Sequence, residues 1–400
     1  MLQIEEAIEL LCSQVNEIPD TEEVLISHAI GRVLAQDITA GRDQPPFPRS
    51  PLDGYAVRGE DLAGASSENP VRLKVIGNIY AGEAFTGTLG SGEAVRLTTG
   101  APIPEGANAV VRQEDTDEGR DEVLIQKEVG PWQNYCFQGE DYKAGTVLLK
   151  AGTVLNARTL SVISTLGHPT VTVRRQARVA VISTGDEVIP AGEAWRPGKI
   201  YDCNRTYITS RLIECGNPAM ISMHAADEGE RVAQQIKSAA RQCDLVITTG
   251  GVSVGEKDIL HEVVDILGAD LLFWRVMIKP GSPTMAFVID GTLVLCLSGN
   301  PYGAMVNYEL LGGAILHKLT GSEAFLLKKT SAVMRSEFRK KGGRRFLRGI
   351  LENGEVRLAD EMQASGSIGS MTVTNCFVEV TPDRNGLHDG DSVTVYRFAE

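Results

Sequence analysis

Between Ala177 and Leu319 the chain alternates short, continuously apolar runs with longer amphipathic stretches, and this alternation restricts the fold more than any other feature. The runs VAVIST, AMISMH, DLVITT, LLFWRV and LVLCLS lack the every-other-residue polarity of a half-exposed sheet, as strands covered by helices on both faces do. Helical spacing of apolar residues predicts helices near 204–215, 229–242, 258–267 and 302–319. Strands alternating with helices in this way predict a doubly wound α/β domain.

The flanking segments read differently. Residues 4–15 place Ile4, Ala7, Ile8, Leu10 and Leu11 on one helical face with acids opposite, so this helix needs a partner surface. From Asp43 to about Lys150 short β-rich runs (VRLKVIG, EAVRLTTG, NAVVRQED, EVLIQKEV) are punctuated by Gly and Pro, which predicts a β-rich domain. Residues 157–168 read as helix. Past Leu326 the runs RRFLRGILE, EVRLAD, NCFVEVT and DSVTVYRF are broken by NG, DRNG and HDG turns, which predicts a small C-terminal β-barrel. The predicted fold class is therefore multidomain, α/β plus β.

Three of the α/β strands run into polar glycine loops: Ser183-Thr184-Gly185-Asp186-Glu187, Thr248-Thr249-Gly250-Gly251-Val252-Ser253 and Ser298-Gly299-Asn300-Pro301. If the strands are parallel, all three loops share one carboxyl edge, where open α/β sheets bind ligands. Glycine admits backbone N–H groups close to an anion, and each following helix points its positive end there, so the ligand expected is long and phosphorylated. Helix capping and tight turns account for any single loop of this type more often than a ligand does; the three together favour a ligand site. Asp186, Glu187, Glu256 and Asp258 sit among the loops, and carboxylates beside phosphates imply a divalent cation such as Mg²⁺. Lys279-Pro-Gly-Ser-Pro283 adds a cation on a rigid turn near that edge. Gly251-Val-Ser-Val-Gly255 also fits the nucleophile elbow of hydrolases, with His261, His317 and His388 as the histidines available to it.

Charge and composition narrow the options. Thirty-nine Lys and Arg against 52 Asp and Glu give −13, which argues against nucleic-acid binding. The seven cysteines are scattered and never spaced C-x-x-C, so neither a disulfide framework nor a zinc site is expected. An acidic amino terminus and the lack of a 20-residue apolar run predict a cytoplasmic protein without a membrane span. Neither G-x-G-x-x-G after a strand nor G-x-x-x-x-G-K-[ST] occurs, which removes the dinucleotide and P-loop readings. In the β-rich segment Ser50-Pro-Leu-Asp53-Gly-Tyr55, Arg96-Leu-Thr-Thr99 and Gly139-Glu-Asp141 present acids and hydroxyls on turns.

Taken in order, PLDGYAV, TTGAPIPEGANAVV, GED, STGDEV, GKIYDCNR, TTGGVSVGEKD, IKPGSP and SGNP resemble the MoeA group of molybdopterin molybdenumtransferases, which includes the gephyrin E domain. The resemblance spans nearly the whole chain. It implies four subdomains: 21–39 with 146–176 as a linker, 40–145 as a β-rich part, 1–20 with 177–325 as a MogA-like molybdopterin-binding part, and 326–400 as a β-barrel. It implies a homodimer and a possible molybdopterin adenylyltransferase partner. The reaction it implies is hydrolysis of adenylated molybdopterin with insertion of molybdate, using Mg²⁺. Carried over by motif, Asp53, Thr99, Asp141, Glu187, Asp227 and Asp258 are catalytic, and Asp186 with Glu187 holds the metal. The substrate-binding set is Ser183, Thr184, Gly185, Asp202, Asn204, Thr249, Gly250, Gly251, Ser253, Lys279, Ser298, Gly299, Asn300, Pro301 and Ser365.

The chain departs from the family pattern at the expected anion site. Cys136-Phe137-Gln138 replaces an arginine-rich run, Ser282 a lysine, Gly303 a serine and Gly343 an arginine, while Arg275 stands for a common Lys. Arg275, Arg344, Arg345, Ser282 and Gln138 are the residues available to restore charge or hydrogen bonds. The losses also raise an alternative: a molybdopterin-binding carrier, regulatory or scaffold paralogue with a weakened molybdate site.

Overall fold

The apolar runs fold as a six-stranded sheet in the order Ile221–Ala225, Val179–Thr184, Leu245–Thr249, Thr292–Leu297, Met285–Ile289, Asp270–Trp274. The first four strands are parallel; Met285–Ile289 runs antiparallel to both of its neighbours. This computed structural model describes residues 1–83, 85–252, 259–340 and 342–398. The strand Met285–Ile289 was not anticipated from sequence; Gly291 turns the chain straight back into Thr292–Leu297, so no helix separates the two strands to signal it.

The pleat explains why the strands read as unbroken apolar runs. Val179 and Val181 enter one core with Leu245, Ile247, Leu293 and Leu295, whereas Ala180 and Ile182 enter a second with Val246 and Val294. Each core is closed by helices on its own side. The first takes Ile208 and Leu212 of Cys203–Glu214 and the helices Pro301–Asn307 and Gly313–Thr320; the second takes Val232 and Ile236 of Gly229–Ala240 and Leu260 and Val263 of Ile259–Leu267. The amino-terminal helix Ile4–Ser13 finds its partner here, burying Ile4, Ala7 and Leu11 in the first core beside Leu316 and Leu319.

The helix expected near 302–319 is split by a π turn at Tyr308–Gly312. Inside it the Glu309 carboxylate is buried yet fully engaged, accepting from Arg211 Nε at 2.9 Å and Tyr207 Oη at 2.5 Å. Such turns insert one residue into a helix, and here the insertion aims Glu309 at its cation. A buried carboxylate without one is several kcal/mol less stable.

Chain contacts divide the molecule into two units: Met1–Gln36 with Ala151–Ser164 and His168–Glu400, and Asp37–Lys150 with Thr165–Gly167. The second unit is built on a five-stranded sheet ordered Ala109–Arg112, Gly54–Val57, Glu93–Leu97, Val71–Ile79, Glu122–Ile125. Among its described residues it contains only short 3₁₀ turns as helical elements, apart from the end of the helix Ala157–Thr165. In the first unit, Thr21–Leu25 pairs antiparallel with Thr170–Arg174.

The C-terminal strands Lys328–Met334, Arg344–Glu352, Glu355–Leu358, Cys376–Val380 and Ser392–Arg397 close into a barrel, because Arg344–Glu352 pairs with both Glu355–Leu358 and Cys376–Val380. Arg348, fully buried, anchors the loop that follows. Its guanidinium donates to the carbonyls of Ala364 (3.1 Å) and Ser367, pairs with Asp360 at 3.3 Å and lies 4.4 Å from the Tyr302 ring centroid. Removing a buried, multiply bonded arginine costs about 3–5 kcal/mol. Arg348→Ala is therefore expected to lower the free energy of unfolding in a urea titration by that much at unchanged slope, and a loss within about 0.5 kcal/mol, the size of an ordinary surface change, contradicts this role.

Candidate functional site

Parallel pairing of Val179–Thr184, Leu245–Thr249 and Thr292–Leu297 sets the three glycine loops side by side at one carboxyl edge, as the sequence pattern required. The loops touch. The Thr184 hydroxyl donates to the Thr249 carbonyl (3.3 Å), Gly250 N–H to Leu297 (3.2 Å) and the Asn204 amide to Gly299 (2.8 Å). A Cβ on Gly250, at φ +94°, would stand 2.7 Å from the Thr184 carbonyl oxygen, so no other residue fits there. Ser183, Thr184, Glu187, Asn204, Thr249, Gly250, Gly299 and Pro301 line a narrow crevice of about 50 Å³. It is continuous through Tyr201–Asn204 and Pro301 with a larger, mostly apolar cavity of about 390 Å³ between Tyr207, Met305, Ile368 and Met371.

Two helices begin at this crevice. Asp202 caps Cys203–Glu214, accepting from Arg205 N–H at 3.1 Å, and its other oxygen pairs with Arg205 Nε at 2.7 Å. The carboxylate of this expected substrate contact is thus engaged by its own helix. Asn300 precedes Pro301–Asn307, with proline in the first turn, where its missing N–H is no loss. Ser365, from the loop anchored by Arg348, presents its carbonyl to the Tyr302 N–H at 3.0 Å and so stands beside Ser298–Pro301. The Ser298 hydroxyl accepts from Asn300 N–H at 3.3 Å.

The acids form a pair with Glu187 alongside. Asp186 Oδ1 accepts from Asp227 N–H (3.1 Å) and Asp227 Oδ2 from Asp186 N–H (3.2 Å), while Asp227 Oδ1 is buried with no hydrogen-bond partner. Burial first, and then the charges of Asp186 and Glu187, push the Asp227 carboxyl above the ordinary aspartate value. Among the described residues no group of three His, Cys, Asp or Glu is already arranged around a metal position. The orphaned Asp227 oxygen nonetheless has the chemistry a hard cation requires. Asp258, Glu256 and Ser253 lie outside the described residues, and Gly251, at φ +66°, enters that segment.

Lys279 follows Ile278 in a short strand parallel to Arg344-Arg345, and lines a cavity of about 490 Å³ with Ser282, Gly343 and Arg344. Two expected replacements for the lost charge are otherwise engaged. Arg344 is bound by Glu379 at 2.7 Å and by Glu5, and Arg275 lies 4.3 Å from the Trp274 ring centroid. Arg345, opposite Lys279 in the register, has a buried Nε without a hydrogen-bond partner, and its guanidinium lies 6.0 Å from the Phe338 ring centroid. The Gly303 substitution has a packing reason: a Cβ there would stand 3.1 Å from Ser298 Oγ and 3.2 Å from Gly281 N.

In the second unit Asp53 and Thr99 meet directly. Asp53 Oδ1 accepts from the Thr99 N–H at 2.6 Å and the Thr99 hydroxyl at 2.9 Å, and these bonds, aided by Arg96, hold the Asp53 carboxyl below its ordinary value. Asp141 is exposed on a turn whose N–H bonds Gln44 at 3.0 Å. Gln138 donates to Asp43 at 3.1 Å, so its amide is engaged.

Sequence reasoning missed His224, whose Nδ1 is 3.2 Å from the Ser183 hydroxyl. Only the pairing of their two strands brings them together, and no motif surrounds the histidine. The hydrolase reading loses two of its histidines: His261 packs edge-on against Trp274, and His317 Nδ1 lies 3.2 Å from the Ser322 carbonyl.

Comparison with known proteins agrees with this architecture. Residues 2–167 match the MoeA N-terminal region (domain I and II), 180–318 a probable molybdopterin binding domain, and 331–398 the MoeA C-terminal region (domain IV). The chain is 35% identical to a molybdopterin molybdenumtransferase of Bacillus subtilis, over its whole length and 94% of the relative. It is 34% identical to one of Staphylococcus aureus, over 98% of the chain and 95% of the relative. A crystal structure of a molybdopterin biosynthesis MoeA protein from Pyrococcus horikoshii superimposes with a TM-score of 0.83 at 34% identity, covering all of both chains. With full-length relatives at this identity and matches to all three MoeA regions, the chain belongs to the MoeA family of molybdopterin molybdenumtransferases.

Proposed function

We propose that this chain is a molybdenumtransferase that takes adenylated molybdopterin, hydrolyses the adenylate and inserts molybdate, within molybdenum cofactor biosynthesis. The observation that carries this reading is the crevice of touching glycine loops beside the Asp186–Asp227 pair. Backbone N–H groups and two helix starts favour phosphate there, and a cation is what reconciles phosphate with three acids. Asp186, Glu187 and Asp227 would hold Mg²⁺, which would supply charge neutralisation to the phosphates while the anhydride is hydrolysed to AMP.

The remaining roles follow from each group's protonation and partners. Asp53, ionised and clamped by Thr99, is suited to orienting a water by accepting its hydrogen bond. Lys279, on the cavity it shares with Ser282 and Arg344, supplies the cationic donor that molybdate requires. That lysine supports insertion over the carrier reading despite the loss of other cations. The four subdomains, the homodimer, an adenylyltransferase that supplies the substrate and a cytoplasmic location belong to the same proposal. No helix among the described residues is long and apolar enough to cross a membrane.

Two experiments test the acids. Asp53→Ala and Glu187→Ala are expected to fold normally and to lose Mg²⁺-dependent turnover by about 10²–10⁴-fold, the range for a positioned acid–base or electrostatic group; full activity in both refutes the assignment. Asp227 gives a pH signature. Its folded carboxyl binds a proton more tightly than the unfolded one, so its contribution favours folding below the ordinary range, about pH 4, and is lost as pH rises through the folded value. Asp227→Asn should therefore raise the metal-free Tm at pH 7 by about 1–3 °C, with the gain vanishing near pH 3.5. Added Mg²⁺ should stabilise the wild type more than the variant; equal shifts would remove Asp227 from the metal site.

A further inference from the structure

We propose that the β-rich unit carries its own phosphate-ester subsite, formed by Arg96 and Arg120 on the cavity that also holds Asp53. The subsite rests on the reading that an adenylated substrate is consumed, and assigns to these two guanidinium groups the phosphate of the AMP that the reaction releases. The cavity measures about 430 Å³, and its charged lining consists of one carboxylate and these two guanidiniums, in a chain whose formal charge is −13.

The two arginines differ in how they are held. Arg96 sits opposite Tyr55 in the strand register, and its guanidinium lies 5.9 Å from the centroid of that fully buried ring. Its one ion-pair partner among the described residues, Glu118, is 3.8 Å away, beyond the 2.7–2.9 Å of a charge-assisted hydrogen bond, and the Asp53 carboxylate feels the Arg96 charge across the same cavity. Arg120 lies on the adjoining turn, and among the described residues no ion pair engages it. Asp53 has one oxygen taken up by two bonds from Thr99. Two guanidinium forks lining one cavity, one loosely paired and one without an ion pair, match the bidentate geometry of a phosphate, and a nearby ionised carboxylate suits a ligand that also bears hydroxyl donors. A nucleoside monophosphate has both. A bare hydrocarbon or a cation has neither.

The test uses the full chain and follows the ¹⁵Nε–¹H resonances of Arg96 and Arg120, assigned with Arg96→Gln and Arg120→Gln. Titration with AMP and with inorganic phosphate should move both resonances saturably, and adenosine should move neither. Tighter binding of AMP than of inorganic phosphate marks the nucleotide as the source of the phosphate. Arg120, being exposed, can be replaced without cost to the core, and Arg120→Gln should weaken AMP binding at this site at least about tenfold. Glu118→Gln, which releases Arg96, should tighten it. Resonances that stay fixed at millimolar AMP, or AMP affinity unchanged in both arginine variants, overturn the subsite. Turnover of adenylated molybdopterin is measured separately on the wild type. Turnover with unmoved resonances removes the subsite alone, and moved resonances without turnover remove the reading of the reaction while leaving the subsite standing.

Discussion

The contact of Gly250 with the Thr184 carbonyl is the constraint on which the ligand crevice depends. With 2.7 Å available to a Cβ, the second loop can lie against the first only as bare backbone. A Cβ on Gly299 would stand 3.5 Å from the Gly250 Cα, so the third loop lies close against the second, and the Asn204 amide ties the start of its helix to that third loop. The sheet makes this possible: three neighbouring parallel strands end in step, so their loops share one edge with two helix starts. The same crowding accounts for Gly303, which leaves room for Ser298 and the Gly281 N–H.

A second dependence runs through Arg348. Its guanidinium is held between carbonyls of the 364–367 loop and the Tyr302 ring, so the C-terminal barrel and the helix after Ser298–Pro301 are fixed to one another. The Tyr302 hydroxyl donates to the Phe346 carbonyl at 2.8 Å, and Ser365 receives the Tyr302 N–H. Through these contacts a fully buried arginine positions a loop that stands beside the helix start at Pro301. Arg211 plays a comparable part deeper in the fold, where it allows Glu309 to occupy a π turn.

The parallel strands were legible in the sequence because burial on both faces leaves unbroken apolar runs, and the glycine loops because three such runs end alike. Met285–Ile289 was hidden by its direct return into the next strand, and the π turn by a helical periodicity that its single inserted residue barely disturbs. At the site, Asp53 and Thr99 were both singled out, yet their mutual hydrogen bonds depend on the pairing of Gly54 with Leu97 between antiparallel strands. The reciprocal bonds of Asp186 and Asp227, and the contact of Ser183 with His224, likewise come from adjacent strands far apart in the chain. Arg344 looked available as a replacement cation because nothing local reveals that Glu5 and Glu379 reach it. Residue type and spacing identify which groups bear chemistry; the register determines which of them are already engaged.

The most direct measurement of the central claim is a single-turnover reaction of the purified chain with adenylated molybdopterin and Mg²⁺, with and without molybdate, following AMP release and cofactor formation together. The account predicts AMP release that requires Mg²⁺ and molybdate and matches the cofactor formed. Tight binding of the adenylate with no AMP released under any of these conditions would contradict it.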